Sequence, residues 1–143
     1  LLDENAAAAP APAPMIAAKT RPARILLAED ETDVRKAVTA ALTQLGHTVT
    51  PARSTEEAMG ALREGDFDVV VTDLMMPGAG GVAILRQARA LAAPLPTVVI
   101  TGKLDPQLRQ EMADLGAGAV LQKPFSLTKL LDTLAGLLPA AEA

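Results

Sequence analysis

Five side chains able to handle a metal ion or a phosphate stand where short apolar runs end. Glu29 and Asp30 follow Ile25-Leu26-Leu27-Ala28, and Asp73 follows Asp68-Val69-Val70-Val71-Thr72. Thr101 closes Thr97-Val98-Val99-Ile100, and Lys123 comes just after Ala119-Val120-Leu121. Three carboxylates converging in one crevice repel each other, a cost relieved when a cation sits among them. An all-oxygen donor set suits a hard ion, and Mg²⁺ combines one or two carboxylates with waters and phosphate oxygens. A lysine adds a point-charge partner for phosphate. The chemistry implied is an acidic metal site that can hold a phosphoryl group.

The elements that must position these residues follow from the spacing. Each run is apolar on both faces, the pattern of a strand buried in a parallel sheet. Between the runs the apolar residues recur at helical spacing. Val34, Ala37, Val38, Ala41, Leu42 and Leu45 predict a first helix, with Thr32 as N-cap and Gly46 as its stop. His47 to Thr50 is a weaker strand, and Ser54 with Glu57 predicts a capping box for a helix carrying Ala58, Ala61 and Leu62. After the loop 74–81 a helix runs through Val82, Leu85, Ala88 and Leu91. Asp105 and Pro106 then start another, through Leu108, Met112 and Leu115. Ser126 caps the last, whose Leu127, Leu130, Leu131, Leu134 and Leu138 read as core. Strict alternation of strand and helix implies an α/β, doubly wound, five-stranded parallel sheet with five helices. Its crossovers are expected to be right-handed. In such sheets ligands bind outside the carboxyl ends of the strands, where the polar residues fall.

Composition narrows the function classes. The 143 residues predict one domain. A net charge of −4 speaks against a nucleic-acid surface, which needs a basic stripe. There is no Cys, so disulfides and thiolate metal sites are excluded. Two Phe and no Tyr or Trp leave an aliphatic core and exclude Tyr or Trp stacking on bases or flavins. The most apolar long stretch, 82–100, is broken by Arg86, Gln87, Arg89, Pro94 and Pro96, so no membrane span is expected. Residues 1–22 read as an Ala/Pro-rich linker or tail, 23–139 as the folded domain and 140–143 as a short C-terminal tail. His47, the only histidine, reads as a structural surface residue, and Met75-Met76 as packing.

The segments Leu26-Leu27-Ala28-Glu29-Asp30-Glu31, Val70-Val71-Thr72-Asp73-Leu74-Met75-Met76-Pro77-Gly78, Val99-Ile100-Thr101-Gly102 and Leu121-Gln122-Lys123-Pro124-Phe125 together resemble a bacterial response-regulator receiver domain of two-component signalling, the CheY-like superfamily. The resemblance covers about residues 24–138 in order. It implies a flavodoxin-like fold with strand order 2-1-3-4-5. It implies Asp73 as phosphoacceptor, with Mg²⁺ (or Mn²⁺) held by Asp30, Asp73 and the Met75 backbone carbonyl, and by Glu29 through water. Lys123 would pair with Asp73 and then with the phosphoryl oxygens, Thr101 would move to the phosphoryl group, and the Lys123–Pro124 peptide would be cis. The implied partners are a sensor histidine kinase or histidine phosphotransfer protein and a downstream protein target, with no nucleic acid and no membrane bound by this domain. The implied location is cytoplasmic. One position departs: the family commonly has Tyr or Phe three residues before the lysine, and here it is Val120.

The expected role is a phosphorylation switch rather than an enzyme acting on other molecules. The chain starts at Leu1 rather than Met and stops five residues after Leu138, which suggests a stand-alone receiver or the C-terminal receiver of a hybrid histidine kinase. Three alternatives compete. A haloacid-dehalogenase-like aspartyl phosphatase wants a second Asp two residues after the nucleophile, where this chain has Met75. A flavodoxin-like FMN carrier wants a Ser/Thr/Gly phosphate cradle where this chain has Glu29-Asp30-Glu31-Thr32. A degenerate receiver acting only as a binding module would not need the full polar set.

Overall fold

A computed structural model describes residues 22–138 apart from Pro77 and Ala92. The leader read as a linker lies almost wholly outside the described residues, as does the tail 140–143. Strands β1 (Arg24–Ala28), β2 (Thr48–Ala52), β3 (Val69–Asp73), β4 (Thr97–Thr101) and β5 (Ala119–Gln122) alternate with helices α1 (Thr32–Gln44), α2 (Thr55–Glu64), α3 (Gly80–Ala90), α4 (Pro106–Asp114) and α5 (Leu127–Leu137). All neighbouring strands pair in parallel, in the order β2-β1-β3-β4-β5.

The alternation of side chains along the strands splits the interior. Ile25, Leu27, Val69, Val71, Val98 and Ile100 pack with Leu42 of α1 and Leu130, Leu131 and Leu134 of α5. Leu26, Ala28 and Val70 point the other way, onto Ala58 and Leu62 of α2 and Ile84 and Ala88 of α3. Leu85, Val99 and Met112 continue that layer toward α4. Every residue of β3 and β4 is buried, which is why both carry an unbroken apolar run, Val69–Val71 in β3 and Val98–Ile100 in β4, before the polar residues at their ends. β2 is different: it has one neighbour, four of its five residues are at least partly exposed, and it contains Pro51. A proline is tolerated there because an edge strand has no partner on one side to need its missing N–H.

The helix starts follow the sequence with two corrections. Ser54 accepts from the Glu57 N–H at 3.2 Å, but Glu57 Oε1 accepts from the Arg53 N–H at 2.8 Å, so the capping box closes one residue early. α1 begins at Thr32 itself, with Glu31 in the cap position and no side-chain cap. Asp105 and Ser126 cap α4 and α5 as expected, through the N–H groups of Leu108 and Lys129.

Three burial expectations also change. Within the first helical stripe only Leu42 is fully buried, while Val34, Val38 and Ala41 are half-buried and Ala37 is exposed. Leu127 is 41% exposed. Their faces border an open groove between α1 and the start of α5, where the sheet no longer supplies a covering layer. His47 is buried, not on the surface: its Nδ1 accepts a 3.0 Å hydrogen bond from the Ala23 N–H, tying the entry of β1 to the turn before β2.

Burial lowers the His47 pKa below the ordinary histidine value. The unfolded chain therefore binds the proton more readily than the folded one, and stability falls with pH below about 6.5, being fully present above it. His47→Asn keeps an acceptor near the Nδ1 position and removes the titration. Thermal unfolding between about pH 7.5 and 5.5 should show a steeper loss for the native chain than for the variant; equal slopes exclude His47 as the source.

Candidate functional site

The carboxyl ends of β1, β3, β4 and β5 form one rim, and backbone hydrogen bonds fix it beyond the strands. The Glu29 N–H reaches the Ala52 carbonyl at 3.0 Å, the Leu74 N–H the Ile100 carbonyl at 2.7 Å, and the Lys123 N–H the Thr101 carbonyl at 2.8 Å. The central pairings Ala28↔Thr72 and Asp73↔Ile100 put the β1–α1 loop and Asp73 side by side.

Glu29, Asp30 and Asp73 are brought together: each offers a carboxylate oxygen, all within 4.8 Å of one another. Glu29 and Asp73 are buried and Asp30 is exposed. Asp73 Oδ1 accepts from the Met75 N–H at 3.1 Å, and Oδ2 accepts from Lys123 Nζ at 2.9 Å. The same ammonium donates to Glu31 Oε1 at 2.8 Å and lies 2.9 Å from Glu29 Oε1. That last approach has ion-pair distance but not hydrogen-bond direction, so among the described residues Glu29 Oε1 is a buried carboxylate oxygen without a hydrogen bond. Glu29 Oε2 accepts from the Glu31 N–H at 3.1 Å.

The electrostatics follow from this crowding. Burial pushes the Glu29 carboxyl up, with the Asp73 charge adding to the push, while Lys123 and the Glu31 N–H pull it back. For Lys123, burial opposes the charged form, but hydrogen bonds to Glu31 and Asp73 and the negative charge of Glu29 outweigh it and hold the pKa above the ordinary lysine value. Lys123 is therefore an ammonium throughout the neutral range. One ammonium among four carboxylates leaves the rim anionic.

Thr101 is at the rim and buried, but its hydroxyl is turned into its own loop. It accepts from the Lys103 N–H at 3.2 Å and is 3.2 Å from the Lys103 carbonyl. Val120 lies one strand-end away, half-buried against the layer of Leu85, Val99 and Met112. Of the pair read from the sequence as packing, Met76 is buried, whereas Met75 is instead 74% exposed beside Asp73. The Lys123–Pro124 peptide is cis.

Several contributors were not singled out from the sequence. Arg35 reaches back from α1 and donates to the Glu29 carbonyl at 2.9 Å and the Asp30 carbonyl at 3.4 Å, holding the acidic loop in place. In the sequence Glu31 belongs to the acidic run, and its position beside Asp30 is the signal that it could join the site. Gly81 is a steric requirement: a Cβ there would collide with the Asp73 carbonyl oxygen and stand 2.8 Å from the Leu74 Cα. The Gly80 N–H donates to the Thr55 hydroxyl at 3.0 Å, fastening the loop after Asp73 to the start of α2.

Residues 25–135 match the family model described as response regulator receiver domain. The chain belongs to this family. It is similar to the sensory/regulatory protein RpfC of Xanthomonas campestris pv. campestris, 36% identical over 124 residues, which are 84% of this chain and 17% of RpfC. It is also 35% identical over 117 residues to the response regulator MprA of Mycolicibacterium vanbaalenii, covering 82% of this chain and 51% of MprA. The chain thus spans about a sixth of one relative and half of the other. Among solved structures, the chemotaxis protein CheY4 of Vibrio cholerae superposes with a TM-score of 0.77 at 29% identity, over 82% of this chain and all of CheY4. No described helix of this receiver domain is long and apolar enough to cross a membrane.

The contact at Gly81 gives a direct test of how the rim is positioned. Gly81→Ala should destabilise the domain by about 1–3 kcal/mol, because the methyl group meets backbone that cannot rotate away. Urea unfolding measures this; an unchanged midpoint would show that the β3–α3 junction is free to open.

Proposed function

We propose that this receiver domain is a phosphorylation switch in which Asp73 accepts a phosphoryl group from a phosphohistidine of a sensor kinase or histidine phosphotransfer protein. The observation behind this is the Asp73 carboxylate, bonded to Lys123 at 2.9 Å and clustered with Glu29 and Asp30 within 4.8 Å. An Asp73 oxygen attacks phosphorus; the P–N bond breaks, and its electron pair stays on the imidazole nitrogen as the aspartyl phosphate forms. Such a transfer needs positioning and charge neutralisation more than covalent machinery. Lys123 supplies a fixed positive charge beside the acceptor oxygen. The Met75 N–H orients the other oxygen, and Arg35 keeps the acidic loop from drifting.

The donor set fits a hard divalent cation. It is all oxygen, and Glu29 Oε1 is buried without a hydrogen bond. Asp30, Asp73 and the Met75 backbone carbonyl would hold Mg²⁺ or Mn²⁺ directly, with Glu29 acting through water. When bound, the ion neutralises the carboxylates and the phosphoryl oxygens. After transfer, Thr101 would exchange its bond to Lys103 for one to the phosphoryl group. With Val120 in place of an aromatic ring, that rearrangement would reach the surface without a ring rotamer change.

The groove between α1 and α5 supports a helical donor partner. It encloses about 590 Å³, is walled by Val34, Ala37, Val38, Ala41, Phe125 and Leu127, and ends at Glu31 and Lys123. An amphipathic helix laid there buries its apolar face and reaches the acidic rim. A cytoplasmic location follows from that partner, as does a downstream protein target that distinguishes the two phosphorylation states.

Incubation with Mg²⁺ and acetyl phosphate should label Asp73, and Asp73→Asn or EDTA should abolish the label, read by mass spectrometry. Labelling that persists in Asp73→Asn refutes the assignment. Ala37→Glu, an exposed change in the groove, should slow transfer from a phosphohistidine donor at least about tenfold, as a desolvated charge in an apolar contact would. It should leave labelling by acetyl phosphate unchanged, and an equal effect on both donors would remove the groove from the docking surface.

A further inference from the structure

We propose that Glu31 is a positioning residue for phosphoryl transfer, acting through Lys123: it holds the ammonium on the acidic loop in the resting state and must release it when Asp73 is phosphorylated. This rests on the reading of Asp73 as phosphoacceptor.

An ammonium has three N–H donors and no more. Here one goes to Glu31 at 2.8 Å and one to Asp73 Oδ2 at 2.9 Å, and Glu29 Oε1 stands 2.9 Å away as an ion-pair partner. Three carboxylates crowd the ammonium, so turning it toward an incoming phosphoryl group requires one of these contacts to break. The three partners are not equally able to let go. The Glu29 side chain is 1% exposed and that of Asp73 8%, so either would be left as a charge without water. The Glu31 side chain is 62% exposed, and water replaces Lys123 at little cost.

Glu31 is also held in place for this contact. It occupies the cap position of α1, yet its carboxylate makes no cap bond, because it is turned to Lys123. Its backbone N–H is bound to Glu29 Oε2, and its carbonyl accepts from the Arg35 N–H at 2.9 Å. The cap position is thus given over to the site. Phosphorylation adds further negative charge at Asp73. Lys123 then turns toward the phosphoryl oxygens, and Glu31 is released into solvent at the mouth of the groove.

Acetyl phosphate provides the test, since its P–O bond to the acetyl group breaks as acetate leaves and no protein partner is involved. Glu31→Gln should accelerate labelling of Asp73 about threefold, the factor that an exposed ion pair is worth. Glu31→Asp keeps the charge but is too short to hold the contact, and should accelerate it similarly. Mg²⁺ affinity, measured by calorimetry on the unphosphorylated chain, should change less than about twofold in both variants, since Glu31 is outside the trio that would hold the ion. Native rates in both variants overturn the proposal, as does acceleration by Gln alone, which would make Glu31 a through-space charge. A weakening of Mg²⁺ binding beyond that limit also overturns it. Failure of the native chain to label Asp73 sinks the phosphoacceptor reading instead, so the two failures are distinct.

Discussion

Like charge at close range is the constraint around which this domain is organised. Glu29, Asp30 and Asp73 approach within 4.8 Å, and Glu31 stands beside them. Such a group is stable only where cations and N–H donors are fixed against it. Lys123 meets three of the four carboxylates, and the N–H groups of Glu31 and Met75 meet two carboxylate oxygens. What remains is a net negative rim with one buried carboxylate oxygen lacking a hydrogen bond. That residual charge is the physical demand that a divalent ion would satisfy, and only with the charge so offset would an anionic phosphoryl group be admitted.

The rest of the fold prevents this rim from relaxing. The carboxylates cannot simply move apart, because β1 and β3 are paired at the centre of the sheet and their ends are pinned by backbone bonds to β2 and β4. Arg35 holds the carbonyls of the acidic loop from one side, and Gly81 lets α3 close onto the Asp73 backbone from the other. Aliphatic layers on both faces make the sheet a rigid support. Strain at the rim is therefore held, ready to be relieved by binding, rather than dispersed by local unfolding.

The parts of the rim that can move are those with water or loop backbone as an alternative partner. Thr101 is bonded within its own loop, and Glu31 is exposed. The α1 groove is open beside them. These side chains and the open groove thus adjoin one another at one end of the sheet, above the buried aliphatic layers.

The amino-acid order by itself determined the alternation of five strands and five helices, the buried character of β3 and β4, and the placement of polar residues at the strand ends. These are local properties: runs of β-branched residues, helical spacing, and polar residues at the points where apolar runs stop. The strand order came from family resemblance, since periodicity says which segments are strands but not which are neighbours. Only the tertiary structure decided that His47 is buried against Ala23, that four of the six residues of the first helical stripe line an open groove, and that Thr101 faces its own loop. It alone showed Lys123 shared among Glu29, Glu31 and Asp73, residues separated by as many as 94 positions in the chain. Contacts of that kind depend on distances between chain ends of different strands, and no local pattern encodes them.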